Sequence, residues 1–126
     1  YQLYCANNQL TDLDVSTNAA LTFFAISFNQ LTELDASGNS AIIYLEAGSG
    51  ALQPVPKELV NYVTSRLSIP VIVGGGIKTT QNLEDCFDAG ADIAVVGNAF
   101  EENPNLITEF VNFTEEYNRK PNFSFI

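Results

Sequence analysis

The 126-residue chain is 46% hydrophobic and 16% charged, the profile of a globular domain rather than a disordered or membrane-embedded one. Fifteen acidic against five basic side chains leave a net charge of −10, which argues against a nucleic-acid partner because phosphate backbones need clustered cations. Histidine is absent, so serine–histidine and cysteine–histidine catalysis are excluded and the commonest metal ligand is missing.

Residues 1 to about 41 repeat at an offset of 21, which pairs Leu3 with Phe24, Cys5 with Ile26, Leu10 with Leu31 and Leu13 with Leu34. Asn8-Gln9-Leu10-Thr11 recurs as Asn29-Gln30-Leu31-Thr32, and Asn18 recurs as Asn39. This frame resembles a leucine-rich repeat. The resemblance implies a short parallel strand in each repeat, apolar positions filling a core behind it, and asparagines bonding backbone groups in the turn that leaves it. Asp12, Asp14 and Asp35 read as solvated repeat positions, since their spacing closes no oxygen loop around calcium.

From about 42 to 126 the pattern changes to strand–helix alternation. Ile42 to Ala47 reads as a strand and Pro56 to Leu67 as a helix with Pro56 in its first turn. Pro70 to Val73 is a strand, and Thr80 to Ala89 a helix with Thr80 as N-cap and Gly90 as its stop. Ile93 to Val96 is a strand. The last helix spans Pro104 to Tyr117, with Leu106, Ile107, Phe110, Val111 and Tyr117 inward, followed by an extended tail. Extending the 21-residue frame aligns Ile42, Leu45, Ala47 and Leu52 with Leu21, Phe24, Ile26 and Leu31. The strand at 43–47 thus occupies the slot of a third repeat strand. The expected fold class is α/β: two leucine-rich repeats (1–41) continuing into a partial β/α barrel (42–126). They share one curved parallel sheet of about five strands, near 3–6, 24–27, 43–47, 71–74 and 93–96. Period-2 alternation puts Leu45 and Ala47 in the covered core and Tyr44 and Glu46 on the concave face.

Three glycine turns end apolar strands: Gly48-Ser49-Gly50, Gly74-Gly75-Gly76 and Gly97-Asn98. With so few cations, an anion site here relies on backbone N–H groups. Tyr44-Leu45-Glu46-Ala47-Gly48-Ser49-Gly50-Ala51, Pro70 through Ile77, and Gly90-Ala91-Asp92 through Val96-Gly97-Asn98 closely resemble the geranylgeranylglyceryl phosphate synthase family. The resemblance covers about 42 to 117 and matches the last three β/α units of that family's barrel. It implies a prenyltransferase joining a prenyl diphosphate to the C3 hydroxyl of sn-glycerol 1-phosphate with Mg2+, in lipid biosynthesis. Tyr44 and Glu46 would contact the glycerol, with Glu46 accepting the hydroxyl proton. Gly48, Ser49, Gly50, Gly75, Gly76, Gly97 and Asn98 would ring the phosphate. Lys78 stands where the family often has arginine, and reads otherwise as a helix-start surface lysine.

The family's Mg2+ and diphosphate site lies on early strands that the repeats replace, so the resemblance implies binding without efficient turnover and no metal ligand in this chain. Tyr4, Phe23 and Ala25 add to an exposed concave face, which implies self-association. Cys5 and Cys86 read as two buried thiols, and the lack of paired cysteines leans toward the cytoplasm. No apolar run approaches the ~20 residues of a membrane-spanning helix. The chain opens inside a patterned segment without an initiator methionine, as a fragment would. The alternatives are a leucine-rich-repeat interaction protein capped by the barrel-derived segment, and a recombined chain without selected function.

Overall fold

The computed structural model describes residues 1–120 apart from 6–7, 22, 27–29, 32, 37 and 39–41, and at 24 the backbone alone. Asn29, Thr32, Asn39, the Phe24 side chain and the expected extended tail beyond Lys120 therefore lie outside the described residues. The fold is α/β with parallel pairing throughout. Its first part holds β1 (Gln2–Tyr4), β2 (Asp12–Asp14), β3 (Phe23–Ala25) and β4 (Glu33–Asp35). The second holds β5 (Ile43–Glu46), α1 (Lys57–Thr64), β6 (Val71–Gly74), α2 (Thr80–Asp88), β7 (Ile93–Val95), α3 (Asn98–Glu102) and α4 (Leu106–Arg119).

The offset of the sequence repeat is also the register of pairing. Gln2, Leu3 and Tyr4 of β1 lie opposite Phe23, Phe24 and Ala25 of β3, each 21 residues on. Asp12, Leu13 and Asp14 of β2 meet Glu33, Leu34 and Asp35 of β4 at the same offset. This second ladder was not among the expected strands.

The expected single five-stranded sheet is not formed. Three separate sheets occur among the described residues: β1–β3, β2–β4 and β5–β6–β7. β3 and β5 lie side by side, with the Phe23 and Tyr44 rings 5.7 Å apart, but no ladder joins them. The second ladder also ends at β4, and the sequence just past β5 gives the reason. Adding the offset to β4 leads to Pro54-Val55-Pro56, and two prolines without N–H groups cannot extend the β2–β4 ladder. The side-chain pattern persists one step further than the hydrogen bonds, since Val55 is 8% exposed where its equivalent Leu34 is 2% exposed. On both sides of Leu45 and Ala47 the repeat frame otherwise lapses. Leu52 is 82% exposed, and Ile43 rather than Ile42 enters the core.

The β/α part packs one helix face on its sheet. Val60 and Val63 of α1 are fully buried, and Leu83 and Cys86 of α2 nearly so. Pro56 is the N-cap of α1 rather than part of its first turn. Thr79, not Thr80, caps α2, and its hydroxyl accepts the Asn82 N–H at 3.2 Å. Gly90 follows α2 with φ of 97°, the left-handed stop that favours glycine. α4 inserts Phe110, while Ile107 and Val111, expected inward, are exposed. These two form an apolar i, i+4 pair on α4, and Val111 lines an open cleft with Phe87 and Ile93. Ala25, expected on the exposed concave face with Tyr4 and Phe23, is buried.

One hydrophobic cluster runs from Val15, Leu21 and Leu34 through Ile43 and Leu45 to Val73, Leu83 and Phe110. The two sequence halves share a single core. Cys86 is buried and Cys5 half-buried, both as thiols. Burial, then the nearby Asp85 carboxylate, pushes the Cys86 thiol up to about 11, and burial also raises Cys5. Such thiols are poor nucleophiles at neutral pH.

Candidate functional site

Parallel strands bring their C-terminal ends to one edge, so the turns after β5, β6 and β7 become neighbours. There they enclose a cavity of about 180 Å³. Tyr44, Glu46, Ser49, Gly75, Gly76, Gly97 and Asn98 all line it. Gly48 and Gly50, expected on the same ring, do not line the cavity and serve the loop that carries Ser49. Two charged residues complete the wall, Lys78 and Glu101. Lys78 reaches the site because its backbone N–H is held by Asn82 Oδ1 at 3.2 Å at the start of α2. Glu101 was missed. It sits one helical turn after Asn98 in α3, and that i, i+3 spacing was the signal that it shares the face of Asn98.

Strand alternation sets the walls. Ile43 and Leu45 are each 1% exposed and face the helices, which turns Tyr44 and Glu46 of the same strand toward the cavity. Burial, and then the Glu46 carboxylate, holds the Tyr44 hydroxyl above the ordinary tyrosine range. At neutral pH it is a neutral hydrogen-bond donor.

The glycines are required by close approach. Gly75 and Gly76 have φ of 78° and 70°, the left-handed region that L side chains avoid. A Cβ on Gly75 would stand 2.7 Å from the Gly48 nitrogen. One on Gly76 would strike the Gln53 carbonyl oxygen. The turn after β6 is thereby pressed against the loop after β5, with main chain exposed on the cavity side. Main chain at glycine turns is a kind of surface that can meet an anion through N–H groups without a cationic cluster.

Comparison with known proteins bears on this arrangement. The model of the PcrB family matches residues 9–114. A geranylgeranylglyceryl phosphate synthase of Flavobacterium johnsoniae is 48% identical over 64 residues, which covers 51% of this chain and 26% of the relative. One from Pyrococcus horikoshii is 50% identical over 64 residues, covering 51% and 25%. Among solved structures, wild-type GGGPS from Thermoplasma volcanium has a TM-score of 0.57 at 28% identity, covering 75% of this chain and 48% of that one. The (S)-3-O-geranylgeranylglyceryl phosphate synthase of Thermoplasma acidophilum, in complex with its substrate sn-glycerol-1-phosphate, has a TM-score of 0.59 at 25% identity. That match covers 80% of this chain and 52% of the other. The chain spans about a quarter of the length of the curated relatives it matches and about half that of the solved ones.

The family is generally Mg2+-dependent, and the residues present do not fit such an ion. Among the described residues no three of His, Cys, Asp or Glu cluster so as to hold a metal. Glu46 and Glu101 share the cavity with the Lys78 ammonium. No described helix is long and apolar enough to cross a membrane.

The glycine turns and the strand that carries Tyr44 and Glu46 all fall within the matched span of residues 9–114, and on that match the chain belongs to the PcrB family.

Proposed function

We propose that the chain carries the acceptor half-site of a geranylgeranylglyceryl phosphate synthase-like prenyltransferase and binds sn-glycerol 1-phosphate without efficient turnover. The observation that carries this reading is the convergence of three glycine turns, Tyr44 and Glu46 on one small cavity. The phosphate lies against Ser49, Gly75, Gly76 and Gly97, and the glycerol meets Tyr44 and Glu46. In a complete site, the C3 oxygen bonds to the first prenyl carbon as the bond from that carbon to diphosphate breaks. Glu46 takes the hydroxyl proton. Magnesium-dependent prenyl ether formation by this chain alone is expected to be negligible, and any that is detected is expected to vanish in Glu46→Gln. The reading includes a cytoplasmic location and self-association through the concave face.

Titration with sn-glycerol 1-phosphate, followed by amide NMR, tests the half-site. Shifts confined to 48–50, 74–76 and 97–98 are expected. No response at millimolar ligand would count against the half-site and in favour of a second reading. In that reading the first part is a leucine-rich-repeat interaction module, with the β/α part as its C-terminal cap. It is favoured by the constant pairing offset of β1–β3 and β2–β4. Asn8 Nδ2 also donates to the Cys5 carbonyl at 2.8 Å, in the turn that leaves β1.

A further inference from the structure

The loop after β5 is fixed unevenly. Its start is seated by packing, with Gly48 against Gly75, and Ala51 N–H closes the turn on the Gly48 carbonyl at 3.2 Å. Its tip is not seated. Ser49 and Gly50 are exposed, and a Cβ built on Gly50 would meet nothing within 4 Å. Among the described residues, the tie that joins this turn's tip to another loop is one hydrogen bond, from the Gly50 N–H to Asn98 Oδ1 at 3.0 Å. Its partners are 48 residues apart and belong to the turns after β5 and β7. β6 lies between those strands, so the bond spans the middle turn and links the two outer turns of the cavity mouth.

We infer that Asn98 is a positioning residue, which acts through Gly50 to hold the Ser49–Gly50 tip at the cavity. Two consequences follow from the donor and acceptor count. The Gly50 N–H is committed to Asn98 and is not a phosphate donor, so the anion is met by the remaining main chain and by Ser49. The bond also orients the Asn98 amide, because Oδ1 faces Gly50. Losing this acceptor leaves the tip held by its own turn bond alone, so the turn that carries Ser49 is less well fixed at the cavity, which weakens the ligand through the entropy of reordering the loop. The inference rests on the phosphate-ester reading of the cavity.

The test uses Asn98→Ala and Asn98→Asp in the full chain. It measures the hydrogen exchange of the Gly50 amide without ligand and the affinity for sn-glycerol 1-phosphate. In Asn98→Ala, Gly50 exchange is expected to rise about tenfold and affinity to fall about tenfold, the scale of one hydrogen bond. Asn98→Asp keeps an acceptor oxygen, so Gly50 protection is retained while the added charge lowers affinity. Affinity lost in Asn98→Ala with Gly50 exchange unchanged would mean direct contact only and would overturn the inference. Unprotected Gly50 in Asn98→Asp, or unchanged affinity in Asn98→Ala, would overturn it too. A wild-type chain that binds no glycerol phosphate would defeat the phosphate-ester reading and this inference together. Wild-type binding that is unaltered in Asn98→Ala defeats the inference alone.

Discussion

The Tyr44 ring lies across Gly74, so close that a Cβ on Gly74 would run into its hydroxyl. The two residues come from adjacent strands, since Glu46 of β5 pairs with Gly74 of β6. The Tyr44 ring also packs edge-to-face with Phe23 of β3, the centroids 5.7 Å apart, so a shift of the tyrosine disturbs that contact as well. Gly74 is not in the left-handed region, which makes Gly74→Ala a purely steric test. We expect the substitution to cost about 1–3 kcal/mol, as overpacking does, and to weaken sn-glycerol 1-phosphate binding. Denaturant unfolding and ligand titration measure the two effects. Unchanged Tyr44 resonances in the variant would argue against the contact.

Glu46 and the phosphate ester proposed for the cavity are both anionic, so the role of this carboxylate is separable by ligand. A bond from the glycerol hydroxyl to a charged acceptor contributes about 1.5–3 kcal/mol, more than the repulsion across a wet cavity mouth that also holds the Lys78 ammonium. Glu46→Gln is therefore expected to weaken sn-glycerol 1-phosphate about tenfold. Inorganic phosphate, which has no glycerol, is expected to bind the variant at least as well as the wild type. Calorimetric titration of both ligands decides this. Equal losses for the two would remove Glu46 from the glycerol contact.

Much of this arrangement is written in short-range pattern. The repeat offset fixes the register of β1 against β3, and strand alternation sends Tyr44 and Glu46 to the face opposite Ile43 and Leu45. Other features are settled only by tertiary geometry. β2 and β4 have three residues each with charges at both ends, too short for a period to show. Two adjacent threonines suit the cap of α2 equally in sequence, and only the Asn82 N–H selects Thr79. Ile107 and Val111 widen the apolar stripe of α4, but a stripe does not say how much of it a neighbour covers. The Asn98–Gly50 bond arises because α3, which starts at Asn98, follows closely on β7, which ends at Val95.

Removing the Thr79 hydroxyl should loosen the start of α2. The cap bond to the Asn82 N–H is solvent-exposed, and such caps contribute about 1 kcal/mol. Thr79→Ala is expected to lower the unfolding free energy, read by denaturant titration, by that amount, while Thr79→Ser retains the wild-type value. A Thr80→Ala variant that is the more destabilising of the two would assign the cap to the wrong threonine.

Tyr117 makes stability depend on alkaline pH. Its hydroxyl donates to Asp88 Oδ1 at 2.9 Å. Burial first, then this bond and the charges of Asp88 and Glu84, raise its pKa from 10.0 to about 12. The unfolded chain thus releases this proton at lower pH than the folded one. The contribution is fully present below pH 10, declines between 10 and about 12 and is lost above. Tyr117→Phe is expected to be less stable than wild type at pH 8, with the difference shrinking across that window. Thermal unfolding at stepped pH measures it, and a difference that grows with pH would contradict the assigned direction.

Leu34 tests whether the two sequence halves fold as one. It belongs to β4, is 2% exposed, and lies in the cluster that also contains Val60 and Val63 of α1. Truncating a buried leucine costs about 2–5 kcal/mol, the lost transfer energy plus the cavity left behind. If the repeats were a separate module, that loss would appear only in an early transition and leave the β/α part unaffected. A shared core predicts otherwise. Leu34→Ala is expected to shift one cooperative transition, followed equally by Tyr4 and Tyr62 resonances, which report from opposite sides of the seam. Separate midpoints for those two probes, with Tyr62 unmoved by the substitution, would show that the cluster is continuous in space but not in folding.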